Sequence, residues 1–219
     1  MRTLIVLSIL FVAVCCSPKT PPYSCGPTMK QKSIKKVFGP IIQYMDLSKG
    51  EVFADVGASS GYFTVMMSTL LENNTIYIQD IDTTCLNDRE FTKVLNYYSM
   101  QCKKPLAKMH MFNVVVGTAT HSNLPNNVVD KIYTNGTFHL FNEPDLMIQD
   151  LYQKLNPEGL LFIRDNFTNS SEVKLCDDKK CAKPLMQQSV FLEIMKRNQF
   201  KLEKHQEMSG FPVFAFSKQ

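Results

Sequence analysis

Long blocks of one charge are missing from these 219 residues. The formal net charge is only +4, and the densest basic stretch is KQKSIKK at Lys30–Lys36. That pattern suits a solvated helix face better than the clustered stripe a nucleic acid requires, so no nucleic-acid partner is expected. No apolar run is long enough to cross a bilayer. The run Leu4–Val14 falls short of the ~20 residues a helix needs to span a ~30 Å core. Cysteine is present but not in a zinc pattern: CDDKKC at Cys176–Cys181 has no second pair or nearby histidine to complete a tetrahedral set, and no metal is expected. Internal repeats and low-complexity stretches are also absent. What is left is the profile of one ordinary globular domain, 44% hydrophobic and 20% charged, large enough for one α/β core and too short for two.

The N-terminus stands apart from that domain. MRTLIVLSILFVAVCCS carries one Arg, then the apolar run, then Cys15-Cys16-Ser17, in the order of an export signal's charged and hydrophobic regions. The cysteines behind the apolar run resemble a bacterial lipoprotein signal, in which a Cys at the cleavage site carries lipid. Cys16 is the better candidate, because the polar SPKTPP begins directly after it; a secretory signal without lipid is the alternative. The expected organisation is therefore an export signal over 1–16, a tether over 17–32 and a folded domain over 33–219. The protein is expected outside the cytoplasm, anchored to a membrane through Cys16 or else secreted. Disulfides are permitted there among Cys25, Cys85, Cys102, Cys176 and Cys181. CDDKKC could close on itself, and the odd count fits one free thiol or a different lipidated Cys.

Behind the tether a helix is expected over Ser33–Asp46, interrupted around Gly39-Pro40. Strands follow at Glu51–Val56, Thr75–Asp80, Met109–Gly117, Val129–Asn135 and Gly159–Asp165. Helical stretches at Tyr62–Leu71, Asn87–Met100 and Glu143–Leu155 separate them; in the last, Leu146, Ile148, Leu151, Tyr152 and Leu155 recur near a 3.6 period. NPEG (Asn156–Gly159) reads as the turn that ends that helix. After a helix at Ser189–Asn198, Lys201–Met208 and Pro212–Ser217 flank a Ser-Gly-Phe-Pro turn as a closing hairpin. Strands alternating with helices imply a parallel sheet wound by right-handed crossovers.

In such a sheet, ligands sit at the carboxyl ends of the strands. FADVGASSGYFT (residues 53–64) occupies that position after the first strand. Gly57 lets the backbone turn sharply, Ala58, Ser59 and Ser60 leave room, and Gly61 lets the following helix pack close. A dinucleotide site would need G-x-G-x-x-G, but the second and third glycine positions hold Ser59 and Tyr62. Asp55, two residues before Gly57, is nothing a pyrophosphate site requires, since an anion gains nothing from a nearby carboxylate, whereas a cationic ligand would.

D-V-G-x-x-x-G-Y-F-T resembles motif I of the class I S-adenosylmethionine-dependent methyltransferases, with Ser59 in place of the usual middle Gly. Nineteen residues past Gly61, Asp80 ends IYIQDID where that family places the acid that holds the ribose hydroxyls; Asp82 is the runner-up. The stretch Val114–Asp165 is similar to the family's second half in order and spacing, through Gly117-Thr118-Ala119, Leu124-Pro125, Asp130, His139 and Asn156-Pro157-Glu158-Gly159. The resemblance runs from about Ser33 to the end. It implies a Rossmann-like, doubly wound, mostly parallel seven-stranded sheet ending in an antiparallel hairpin. It also implies S-adenosylmethionine as cofactor, contacted by Asp55, Gly57, Ser59, Gly61, Asp80 or Asp82, Thr118 and Asn135, with Asn135 and Gly136 toward the methionine end. Thr118 stands where an acid commonly accepts from the adenine amino group.

Methyl transfer asks the protein to position two partners and to remove a proton. His139 is the leading candidate base and Asp165, at the end of the fifth strand, the second; Tyr133 and His121 follow. The acceptor is expected to be a small molecule, and the segment Asn166–Pro184 is expected to border its pocket. Two other readings stay open: an exported, non-catalytic binder that retains the fold, and a nicotinamide-dependent oxidoreductase, which the glycine spacing disfavours.

Overall fold

The computed structural model describes residues 23–169 and 184–219. The expected signal, Cys16 and the CDDKKC loop lie outside them. The seven strands are β1 (Val52–Val56), β2 (Thr75–Asp80), β3 (Met111–Val116), β4 (Val129–Asn135), β5 (Leu155–Arg164), β6 (Phe200–Met208) and β7 (Phe211–Lys218). They form one sheet in the order β3-β2-β1-β4-β5-β7-β6. The first five run parallel, and β7 pairs antiparallel with both β5 and β6. The expected doubly wound sheet with a closing hairpin is therefore present. The order reverses between β1 and β4, which opens a crevice at their carboxyl ends.

Side chains of these strands alternate between two apolar layers, as a pleated sheet covered on both faces requires. Phe53, Tyr133, Phe162 and Ala215 join the layer formed by α1 (Gln31–Met45), α2 (Tyr62–Ser68), α3 (Asp88–Cys102) and the short α4 (Leu106–Met109). Their neighbours Ala54, Ile132, Leu161 and Phe214 join the layer of α5 (Pro144–Lys154) and α6 (Gln188–Arg197). In the second layer Phe191 packs against Phe138, Phe167 and Phe214 with ring centroids 4.3–5.1 Å apart.

Three expectations need correction. The helix α1 runs unbroken through Gly39-Pro40. Pro40 removes one backbone donor, but Ile34, Phe38, Ile41, Tyr44 and Met45 keep a continuous buried stripe across it, and burial outweighs the missing bond. NPEG does not separate helix from strand: α5 passes directly into β5 at Leu155, and residues 156–159 bulge between the pairs Val129–Leu155 and Lys131–Leu160. Finally, the packed body begins before Ser33. Tyr23, assigned to the tether, is only 4% exposed, and Cys25 is disulfide-bonded to Cys85. Cys102 is a free, buried thiol.

Candidate functional site

A cavity of about 600 Å³ opens at the carboxyl ends of β1, β2 and β4. Its floor is the turn after β1. Gly57 has φ +79, and a Cβ there would lie 2.2 Å from the Thr137 side chain, so no other residue fits. The amides of Gly57 and Ala58 both donate to the Gln79 carbonyl at 2.9 Å, which ties the turn to β2. Gly61, φ +78, brings α2 close to Ile78 and Phe91. These contacts match the roles expected of both glycines.

Asp80 is fixed before any ligand arrives. Its carboxylate accepts from the Ser59 amide at 2.6 Å and from the Asp82 amide at 2.9 Å, and it lines the cavity. Asp82 also lines it, but its carboxylate is turned back on Thr84, accepting from both amide and hydroxyl at 2.9 and 2.5 Å. Those bonds, the hydroxyl's above all, hold its pKa below the usual range. Of the two acids, Asp80 is the one whose position is set by the motif itself.

Asp55 reaches the cavity wall while only 4% exposed. Burial pushes its pKa up to about 7; the Thr64 hydroxyl, which donates to it, pulls the other way, and the negative charge of Asp80 adds to the rise. A cation in the cavity would reverse this balance, because it favours the ionised carboxylate. Asn135 lines the cavity too, with its Oδ1 accepting from Arg164 at 2.7 Å. Thr118 is a lining residue whose hydroxyl is engaged in its own turn, accepting from the amides of Thr120 and His121 at 3.3 and 3.0 Å.

His139 and Asp165 come together, but neither lines the cavity. His139 Nδ1 lies 2.8 Å from Asp165 Oδ1, and the His139 amide donates to Oδ2 at 3.0 Å. Asp165 was expected to face the mouth; it is 2% exposed and serves His139 and the Asn166 amide instead. A carboxylate only accepts, so the proton of the ring contact belongs on Nδ1. The ring sits in a 3₁₀ turn, Phe138–Leu140, anchored by the buried Phe138 and carrying Leu140, which does line the cavity. Tyr133 is buried, which raises its pKa, and it is not among the lining residues. His121 is exposed, with Nδ1 2.8 Å from the Thr120 hydroxyl, and is not among the lining residues.

Several lining residues were not anticipated: Cys25, Gly26, Gln79, Thr137 and Phe141. Gln79 adjoins Asp80 and Thr137 follows Gly136, so proximity to the motifs could have pointed to both. Nothing local in the sequence marks Cys25 as part of a pocket. Among the described residues no cluster of His, Cys, Asp and Glu could hold a metal ion.

The profile of a family described as "Methyltransferase domain" matches residues 54–163. Curated proteins give no match in sequence. Solved structures of similar shape include a SAM dependent methyltransferase from Aquifex aeolicus, with 18% identity over 86% of this chain and 97% of that one and a TM-score of 0.61. A SAM-dependent methyltransferase from Methanosarcina mazei follows at 12% identity, covering 82% and 97%, TM-score 0.59. The cyclase SpnF matches at 12% identity over 90% and 86%, TM-score 0.64. At such identities the likeness is one of fold.

Proposed function

This chain belongs to the methyltransferase-domain family, and from that premise we propose that it transfers a methyl group from S-adenosylmethionine to a small-molecule acceptor. The observation that carries the reading is Asp80: a carboxylate aimed into the cavity and held by two backbone amides, one of them from motif I. It offers acceptors only, which suits the two donor hydroxyls of a ribose. The residues present fit the rest of the cofactor as well. Asp55 favours a cationic group, Gly57 and Ala58 keep the floor low, and Asn135 supplies an amide at the far wall. When bound, S-adenosylmethionine supplies an electrophilic methyl group on a sulfonium. The protein's own part is to orient the two reactants and to accept the acceptor's proton, for which we assign His139, outside the cavity lining itself but next in the chain to the lining residue Leu140, with Asp165 holding its ring.

The proposed setting is outside the cytoplasm. Its support is the N-terminal signal pattern, with Cys16 as the site of a lipid anchor, and the Cys25–Cys85 disulfide, a bond that oxidising compartments preserve.

A second reading, an exported binder without chemistry, draws on Thr118. Its hydroxyl is committed to its own turn, so adenine loses the charged acceptor that its amino group commonly meets. Calorimetric titration with S-adenosylmethionine and S-adenosylhomocysteine, with NADH as control, separates the two. The methyltransferase reading expects binding of about micromolar strength that weakens about 100-fold in Asp80→Ala, the scale of two hydrogen bonds to a charged group. Absence of binding by folded protein removes it.

A further inference from the structure

The segment Tyr23–Met29, expected to be tether, forms part of the cavity wall: Cys25 and Gly26 line it together with Cys85. Three kinds of attachment hold this strap in place. The disulfide joins it covalently to the loop between β2 and α3. Hydroxyls from motif I reach it, with Ser59 Oγ and Ser60 Oγ donating to the Cys25 carbonyl at 3.0 and 3.4 Å. An aromatic seat completes the set. Tyr23 packs against Tyr97 and Tyr98 and donates to the Pro27 carbonyl at 2.9 Å, while Gly26 lies so close to Tyr62 that a Cβ would come within 2.3 Å of its ring.

Ser59 connects the strap to the motif. It has φ +53, a conformation in which glycine is at ease and other residues are strained. Glycine at this position would relieve the backbone but remove the hydroxyl that Cys25 accepts from. The departure from the family's pattern thus coincides with one of the contacts that hold the strap.

We propose that the Cys25–Cys85 disulfide and the Ser59 hydroxyl position the strap as the wall of the cavity beside Asp80, so that cofactor affinity depends on the disulfide being formed. The inference rests on the cofactor reading above. Cys25, Cys85 and Ser59 are positioning residues here. A dithiol such as dithiothreitol breaks the S–S bond; it gives up two electrons and two protons, becomes a cyclic disulfide and leaves two cysteine thiols. The strap then keeps its hydroxyl bonds, its aromatic seat and the bonds that tie Ser24 to Glu90 and Met29 to Tyr98 and Gln101, but no covalent tie to the loop after β2. Apparent affinity falls by the fraction of molecules in which it has swung away.

The test is S-adenosylhomocysteine binding to purified protein, oxidised, reduced with dithiothreitol, and reoxidised with oxidised glutathione. Amide exchange is followed in parallel. Reduction is expected to weaken binding about 10-fold, with recovery on reoxidation and with faster exchange at Ser59 and Ser60 but not along β4 and β5. Ser59→Gly keeps the disulfide and removes the shorter of the two hydroxyl bonds to the strap. It is expected to melt no lower than the parent yet bind about threefold more weakly, and it decides the matter should the reduced protein unfold. Equal affinity in folded oxidised and reduced protein, or in Ser59→Gly and parent, overturns the inference. Failure of the oxidised parent to bind at all is a different result: it removes the methyltransferase reading and takes this inference with it.

Discussion

At the β1–β2 end of the cavity the backbone does the holding. Two amides fasten the turn to Gln79, two more fasten Asp80, and a disulfide clamps the strap above. At the β4–β5 end side chains do it: Phe138 is buried among other rings, Asp165 grips His139, and Leu140 and Phe141 face the space between. Backbone geometry tolerates few alternatives, so the first end can serve only ligands that match it. Side chains can be exchanged one at a time, so the second end is where an acceptor preference is free to change. On the proposed reading, the β1–β2 end is the generic half of the site and the other end the particular one.

The sharpest way to break that comparison is at His139. His139→Gln should lower kcat about 100-fold or more, the usual scale of a lost general base, while S-adenosylhomocysteine affinity stays within about twofold. Turnover of whichever acceptor reacts, alongside calorimetry, checks both halves of the expectation. A loss of cofactor affinity instead would mean that the two ends are not separable.

The next effect is at Asp55. Burial raises its pKa from 3.8 to about 7, so the folded protein holds a proton there that the unfolded chain has released. Its contribution to stability is full below 3.8 and is lost as the pH climbs through about 7. A cation favours the ionised form. Affinity for S-adenosylmethionine should therefore rise between about pH 5 and about pH 8, and Asp55→Asn should flatten that rise and weaken binding about 10-fold at the upper end. The same variant should melt no lower than the parent near pH 8, since it no longer buries a charge there. A pH-independent affinity in the parent would place the cation elsewhere.

The smallest effect sharpens the picture at Thr118. Thr118→Asp can still accept from the Thr120 and His121 amides and adds a charged acceptor. S-adenosylhomocysteine should bind about threefold more tightly, as titration of the variant would register.

What the sequence disclosed follows the same division. The parallel sheet with its closing hairpin was legible because strands alternate with amphipathic helices, and the places of Gly57, Gly61 and Asp80 at its carboxyl edge were legible because they depend on backbone and spacing. The pairing of His139 with Asp165 was not. The two lie 26 positions apart, and only the return of β5 beside β4 brings them together. The start of the packed body was missed for a related reason: Tyr23–Met29 is short, with no periodicity of its own, and its burial depends on Tyr62, Tyr98 and Cys85, far along the chain. At Gly39-Pro40 the residues that favour a break are local, while the stripe that overrides them is packed against the sheet.

The Cys25–Cys85 bond closes a covalent ring that runs through α1, β1, α2 and β2. Within that ring the turn at Glu72 and Asn73 is exposed, the kind of place where proteases cut. A cut there leaves the molecule in one covalent piece, joined through sulfur in place of the peptide bond. The wall beside Asp80 is thus insured against a severed backbone.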